Sequence, residues 1–235
     1  MLRTGCSWRQ LPKDFPPWQA VYKAFIRWGE RGLFEQMHDR FRAQWRERMQ
    51  RQTAPTAAVL DAQSTRHSPQ GGEAGFDAGK KVKGSKRHLV VDTLGLLLAV
   101  VVTAASVQDR DAALPAMTAA CGKYPTLARV YVDGAYAGQC ASALHAAHGL
   151  AVEVVRHPDN RNVGRWCPEQ GDLFAPAPVV GGFVPLPKRW GVERTHAWND
   201  KARRLIMHHD RKIETSVWWV WLAEARLLSR RLTAG

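Results

Sequence analysis

The sequence predicts a mixed α/β fold, a sheet flanked by helices and preceded by a small helical region. Three observations point there. Residues 18–49 carry apolar side chains at helical spacing. Three strand-like segments then follow one another, two of them joined as a hairpin. After the hairpin, helices and strands alternate, which is the pattern of parallel strands with crossover helices.

The elements read in order. "WQAVYKAFIRWGERGLFEQMHDRFRAQWRERM" places Val21, Phe25 and Trp28 on one stripe and, beyond Gly29 and Gly32, Phe34, Met37, Phe41 and Trp45 on a second. Pro16 and Pro17 mark the entry, so two helices with a turn are expected. Such a pair suits a DNA-reading unit or a plain helical hairpin equally. "QRQTAPTA" is a polar joint, which divides the chain into a helical region at 1–52 and a larger domain at 53–235. "AAVLDAQST" is the first strand, and "KRHLVVDTLGLLLAVVVTAA" is a hairpin turning near Leu94 and Gly95. "RDAALPAMTAACGKY" and "QCASALHAAHG" are helices that separate the strands "ARVYVDGAY" and "LAVEVVRHP". The Gly- and Pro-rich run from Pro158 to Pro187 is irregular. "WGVERTHAWNDKARRLIMHH" and "SVWWVWLAEARLLSRRL" close the chain as helices, the second a core or interface element.

Composition narrows the function. The 235-residue chain carries 34 Lys and Arg against 21 Asp and Glu, a formal charge of +13, which suits a polyanionic partner. No apolar run reaches the ~18 residues of a membrane span. The four cysteines are scattered without a CxxC pair, which argues against a disulfide framework or a structural zinc site and for a reducing compartment.

Two carboxylates end predicted strands: Asp61 after Val59 and Leu60, and Asp133 after the run Val130 to Val132. A strand-end Asp commonly caps a turn. Two on neighbouring strands, however, form a hard-oxygen pair of the kind that holds Mg²⁺ against a phosphodiester. A third carboxylate is expected from a helix over the sheet, and Glu193 offers it, on one helix side with His196, Asp200, Lys201 and Arg204. Asp92, in "DTLG", reads as turn chemistry, and Glu214 and Glu224 read as packing.

"GKKVKGSKRH" sets Lys80, Lys81, Lys83, Lys86 and Arg87 among glycines that let a phosphate backbone approach. Arg189 and Arg194 flank Glu193 and suit a clamp on the scissile strand. Trp190 could stack on an unpaired base, while Trp198 is better suited to packing.

"LDAQSTR", "GFDAGKKVKGSKRHLVVDTLGLLLAVVV", "VQDRDAA", "VYVDGAYAG" and "RWGVERTHAWNDKARRL" together resemble the DDE transposases of bacterial insertion sequences, the insertion-sequence-five group. "RTGCSWRQLPKDFPPWQAVYKAF" resembles the N-terminal helical region of that group. The resemblance implies a ribonuclease-H-like catalytic domain with Asp61, Asp133 and Glu193 as the catalytic, metal-binding triad. It further implies Mg²⁺ as cofactor, with Mn²⁺ as a substitute, and cleavage at transposon ends followed by strand transfer into target DNA. A homodimer or higher oligomer on DNA and a cytoplasmic, nucleoid-associated location are expected with it. Around the last acid, Arg189 and Glu193 fit the group's signature. Its Tyr position holds Leu186 and its Lys position holds Asp200, with Lys201 or Arg204 as substitutes. The group's members carry several dozen further residues ahead of this start, so an N-terminally shortened copy is expected. The alternatives are an inactive DNA-binding remnant and a metal-dependent nuclease of the same fold.

Overall fold

A computed structural model of the chain describes residues 1–155 and 188–234. Helices α1 (Trp18–Glu30) and α2 (Leu33–Arg48) lead into strands β1 (Ala57–His67), β2 (Gly75–Asp77), β3 (Val82–Asp92) and β4 (Leu97–Ala104). Then come α3 (Ala113–Lys123), β5 (Arg129–Val132), α4 (Gln139–His148) and β6 (Ala151–Val154). After residues 156–187 the chain forms α5 (Trp190–Asp200), α6 (Arg203–Ile206), β7 (Met207–His208) and α7 (Ile213–Thr233). The expected Gly- and Pro-rich stretch and Leu186 lie outside the described residues.

One mixed sheet organises these elements. β1 pairs antiparallel with β3, which pairs antiparallel with β4; on its other side β1 runs parallel with β5, and β5 parallel with β6. Short β2 pairs with the first residues of β3, and β7 pairs with the last residues of β1. Neither short strand is visible in the sequence. Nor is the break that ends α5 at Asp200, where Ala202 turns extended (φ −91°, ψ 102°) instead of continuing the helix.

The pleat sorts β1 onto two cores. Ala58 and Leu60 face α3 and α4 together with Val130 and Val132. Val59 faces the opposite layer, with Phe25 of α1, Phe34 of α2, Val192 of α5 and Trp219 of α7. Successive strand residues alternate faces, so Asp61 follows Val59 to the α5 side. The N-terminal helices are therefore built into the same core as the sheet. Gly29 lets α1 approach α7 closely, since a Cβ there would lie 2.2 Å from the Trp218 ring. Buried Arg46 of α2 also forms an ion pair with buried Asp92 at the end of β3.

Asp92 has the turn role its sequence suggests. Its Oδ1 accepts from the Leu94 and Leu96 amides at 2.8 and 2.9 Å, which closes the β3–β4 turn. That turn seats α5. Thr195 donates to the Gly95 carbonyl and Arg194 to the Leu94 carbonyl, both at 2.6 Å. Gly95 has a left-handed backbone (φ +72°), and a Cβ on it would stand 2.7 Å from the Gly191 carbonyl. Only glycine meets both demands without strain.

Candidate active site

Asp61 and Asp133 occupy matching places on parallel strands. The β1–β5 pairing aligns Ala57 with Arg129, Ala58 with Val130 and Val59 with Tyr131. The same offset carried two residues on sets Asp61 against Asp133. There the strands part, β5 ends, and Asp133 caps a short 3₁₀ turn by accepting from the Ala135 amide at 2.8 Å. Gly134 after it has open space where a Cβ would be. The backbone pattern that points one acid off the strand end thus also leaves room beside it.

A single guanidinium joins the two carboxylates. Arg189 Nη2 lies 3.1 Å from Asp61 Oδ1 and 3.8 Å from Asp133 Oδ2. Buried His196 brings Nε2 to 3.3 Å from the other oxygen of Asp61. Lys80 reaches in from the β2–β3 turn and donates to the Ala62 carbonyl at 2.9 Å. Burial alone would raise the Asp61 pKa. The close contact with His196, with Arg189 and Lys80 nearby, reverses that effect and holds the carboxyl pKa below its usual range, in its charged form.

Glu193 is half-buried in the first turn of α5. Arg189, Glu193 and His196 are spaced i, i+4 and i+7, so they share one helix face. The two outer members of that face both touch Asp61, and Glu193 lies between them in the helix. Among the described residues, no three His, Cys, Asp or Glu side chains stand close enough together to hold an ion. The place between Asp61 and Asp133 is taken by the Arg189 cation. The donor set nevertheless fits a hard divalent ion in kind: two carboxylates already share one positive charge, and α5, which carries Arg189 and His196 to them, carries a further carboxylate, Glu193, on the same helix face.

The expected DNA-contacting cations divide into two groups. Lys80, Lys81, Lys83 and Lys201 are exposed. Arg189 is half-buried on the acid pair, and Arg194 is half-buried on the Leu94 carbonyl and over the Trp198 ring at 4.5 Å. Three others are corrected by the structure, because they are interior. Lys86 is 4% exposed, pairs with Asp77 at 3.2 Å and Asp109 at 2.8 Å, and donates to the Val107 carbonyl. Its charge helps to hold the Asp77 carboxyl down at about 2 against the opposing effect of burial, together with a Ser64 hydrogen bond. Arg87 is 2% exposed and donates to the Leu205 carbonyl at 2.7 Å; burial lowers its pKa to about 10. Arg204 is buried against Asp210 at 2.5 Å and over Trp219. Asp200, at the signature's Lys position, accepts from Gln63 of β1 at 3.2 Å.

Two participants are not marked by the sequence. Its helical spacing groups His196 with Glu193 on one side but assigns the imidazole no role, although the i+3 step from that acid is the available signal. Tyr136 lies three residues after Asp133 and is fully buried, with a hydroxyl that has no hydrogen-bond partner among the described residues. Burial, and then the negative charge of Asp61, Asp109 and Asp133, push its phenol pKa up, so the proton stays on.

Comparison with known proteins agrees with this geometry. A family model described as the transposase DDE domain matches residues 52–228, from just before β1 to the last turns of α7. A second, for a transposase of the IS4/5 family, matches residues 1–38, which end inside α2. No curated protein matches the chain. With the DDE-domain match spanning most of its length, the mixed sheet and its flanking helices are the ribonuclease-H-like fold of that domain, and the chain belongs to the DDE transposases of the IS4/IS5 type.

Proposed function

We propose that this chain cuts DNA at the ends of its own insertion element and joins the freed 3′-hydroxyl to target DNA. Asp61, Asp133 and Glu193 are the acids that carry the reaction. The observation that supports this most strongly is the pair of carboxylates at matching register on β1 and β5, drawn onto one cation.

Asp61, Asp133 and Glu193 would hold Mg²⁺, with Mn²⁺ as a substitute. The bound metal supplies charge neutralisation at the scissile phosphate and lowers the pKa of the attacking hydroxyl. The protein's own residues set the stage. His196 fixes the Asp61 carboxylate from one side, which leaves its other oxygen for the shared place. Arg189 is the mobile partner: when phosphate arrives, its fork exchanges two carboxylates for phosphate oxygens and moves its charge from the acids to the substrate. Lys80, Lys81 and Lys83 beside β3, and Lys201 after α5, receive the flanking backbone. The carboxylates position and neutralise without attacking, so no covalent protein–DNA bond forms. The protein acts as a homodimer or higher oligomer on DNA, in the cytoplasm. No described helix is long and apolar enough to cross a membrane.

Asp133→Asn tests the reading on a duplex containing an element end. Mg²⁺-dependent cleavage should fall by at least about 100-fold with DNA affinity unchanged. Undiminished cleavage would remove Asp133 from the chemistry. A target duplex added to the same assay separates a transposase, which joins the ends, from a nuclease, which only cuts.

A further inference from the structure

Beside the far end of β1, about 20 Å along the strand from Asp61, a cleft of about 600 Å³ opens between α1 and the segment linking β7 to α7. Its two walls carry cations. Lys23 and Arg27 project from α1, and Arg211 and Lys212 from the segment before α7; all four are exposed. None has an ion-pair partner among the described residues. The anions in the cleft do not offset them: Asp210 is already paired with Arg204, and Glu30 is a single charge. Aromatic rings line the same cleft, with Trp18 half-buried and Tyr22 39% exposed.

Both walls are fixed before any ligand arrives. The β7 segment is paired to β1 at Arg66 and His67, and the Gly72 amide donates to the Asp210 carbonyl at 3.1 Å. A Cβ on Gly72 would come within 2.1 Å of the Arg211 carbonyl, so this loop lies directly on that backbone. On the other side, Gly29 seats α1 against Trp218.

From this we infer a binding site for single-stranded DNA, separate from the acid site, in which Lys23, Arg27, Arg211 and Lys212 hold successive phosphates while Trp18 and Tyr22 stack the bases. Unpaired positive charge interleaved with aromatic faces is the arrangement that binds single strands without reading sequence. The volume is that of a small-molecule site, which takes one or two unpaired nucleotides and excludes a duplex. The inference takes its biological setting from the transposase reading, in which strands are freed at the cut ends. Its physical content does not depend on cleavage.

The test uses the full chain and fluorescein-labelled dT12, with anisotropy read across a salt series. The variant Lys23→Gln/Arg27→Gln/Arg211→Gln/Lys212→Gln should lose at least tenfold in affinity. Its slope of log K against log salt should shrink by about 0.7 for each phosphate that is no longer neutralised. Trp18→Ala should weaken binding about tenfold with the slope unchanged, since stacking carries no counterion. A charge-matched control, Arg40→Gln/Arg51→Gln/Arg226→Gln/Arg230→Gln, should keep most of the affinity. Equal loss in the two quadruple variants would mean general charge attraction and overturn the site, as would dT12 binding that ignores both the cleft variant and Trp18→Ala. A clear preference for duplex over dT12 would also overturn it. If thermal melting shows the quadruple variant unfolded, Lys212→Gln alone should still reduce the slope by about 0.7. Asp133→Asn should bind dT12 like the parent chain, so failure of the catalytic reading and failure of this one are told apart.

Discussion

Arg189 lies within 4 Å of two carboxylates that would otherwise repel each other, and this contact defines the resting site. Removing the guanidinium should free the acid pair for a divalent ion. In calorimetry without DNA, Arg189→Gln should bind Mn²⁺ about tenfold more tightly than the parent chain, while its DNA cleavage falls. Weaker or unchanged Mn²⁺ binding would show that the guanidinium does not occupy the ion's place. Glu224 gives a second prediction. It is 1% exposed on α7, and burial raises its pKa to about 8 against the opposing effects of Arg231 and Asn199. The unfolded chain releases this proton near 4.5, so the folded state binds more protons between pH 4.5 and about 8. Stability therefore falls as pH rises through that window. Glu224→Gln should remove this loss, so its melting temperature should gain on that of the parent chain from pH 5 to pH 8. A constant difference would contradict the buried-acid assignment. At this scale the sequence is partly legible. Asp61 and Asp133 stand out because each ends an apolar run, a local signal. The contact of His196 with Asp61 spans more than 130 positions and leaves no such trace. Lys86 and Arg87 mislead because their cluster looks solvated. Yet β3 is a central strand covered on both faces, so Lys86 faces Asp77 and Asp109 while Arg87 turns to the α6 side.

The element that matters most is α5, because it brings Arg189, Glu193 and His196 to the acids together. Its seat is the β3–β4 turn, held by Asp92 within and by Thr195 and Arg194 from α5. Gly95→Ala should therefore affect function as well as stability. The left-handed φ and the 2.7 Å approach to Gly191 should cost roughly 1–3 kcal/mol, and the displaced α5 should reduce cleavage beyond what lost folding explains. Chemical denaturation and single-turnover cleavage measured on the same sample check both parts. The elements with a clear period (α1, α2, β1, the β3–β4 hairpin and α7) are readable from sequence. The two-residue β7 and the kink at Ala202 are not, since both are set by pairing to β1 and by packing of Leu205 rather than by local propensity.

Across the whole molecule, the sheet separates two apolar cores, and the N-terminal helices share the one that carries α5 and α7. Phe25 stacks on Trp219 at 4.3 Å between ring centroids and meets Phe34 at 5.2 Å. Phe25→Ala should accordingly destabilise the entire domain by about 3–5 kcal/mol in a single cooperative transition. A separate early transition of the N-terminal region would show it to be independent. The strand order is legible because hairpins precede the alternation, whereas this shared core is not, because an amphipathic helix does not name the surface it covers. The claim on which the chemistry rests is that Glu193 joins Asp61 and Asp133. It is tested most directly by single-turnover, Mg²⁺-dependent cleavage of an element-end duplex by Glu193→Gln beside Glu214→Gln, a matched change in the exposed first turn of α7. Loss of at least about 100-fold in Glu193→Gln with full activity in Glu214→Gln is the predicted result. Full activity in Glu193→Gln would contradict it.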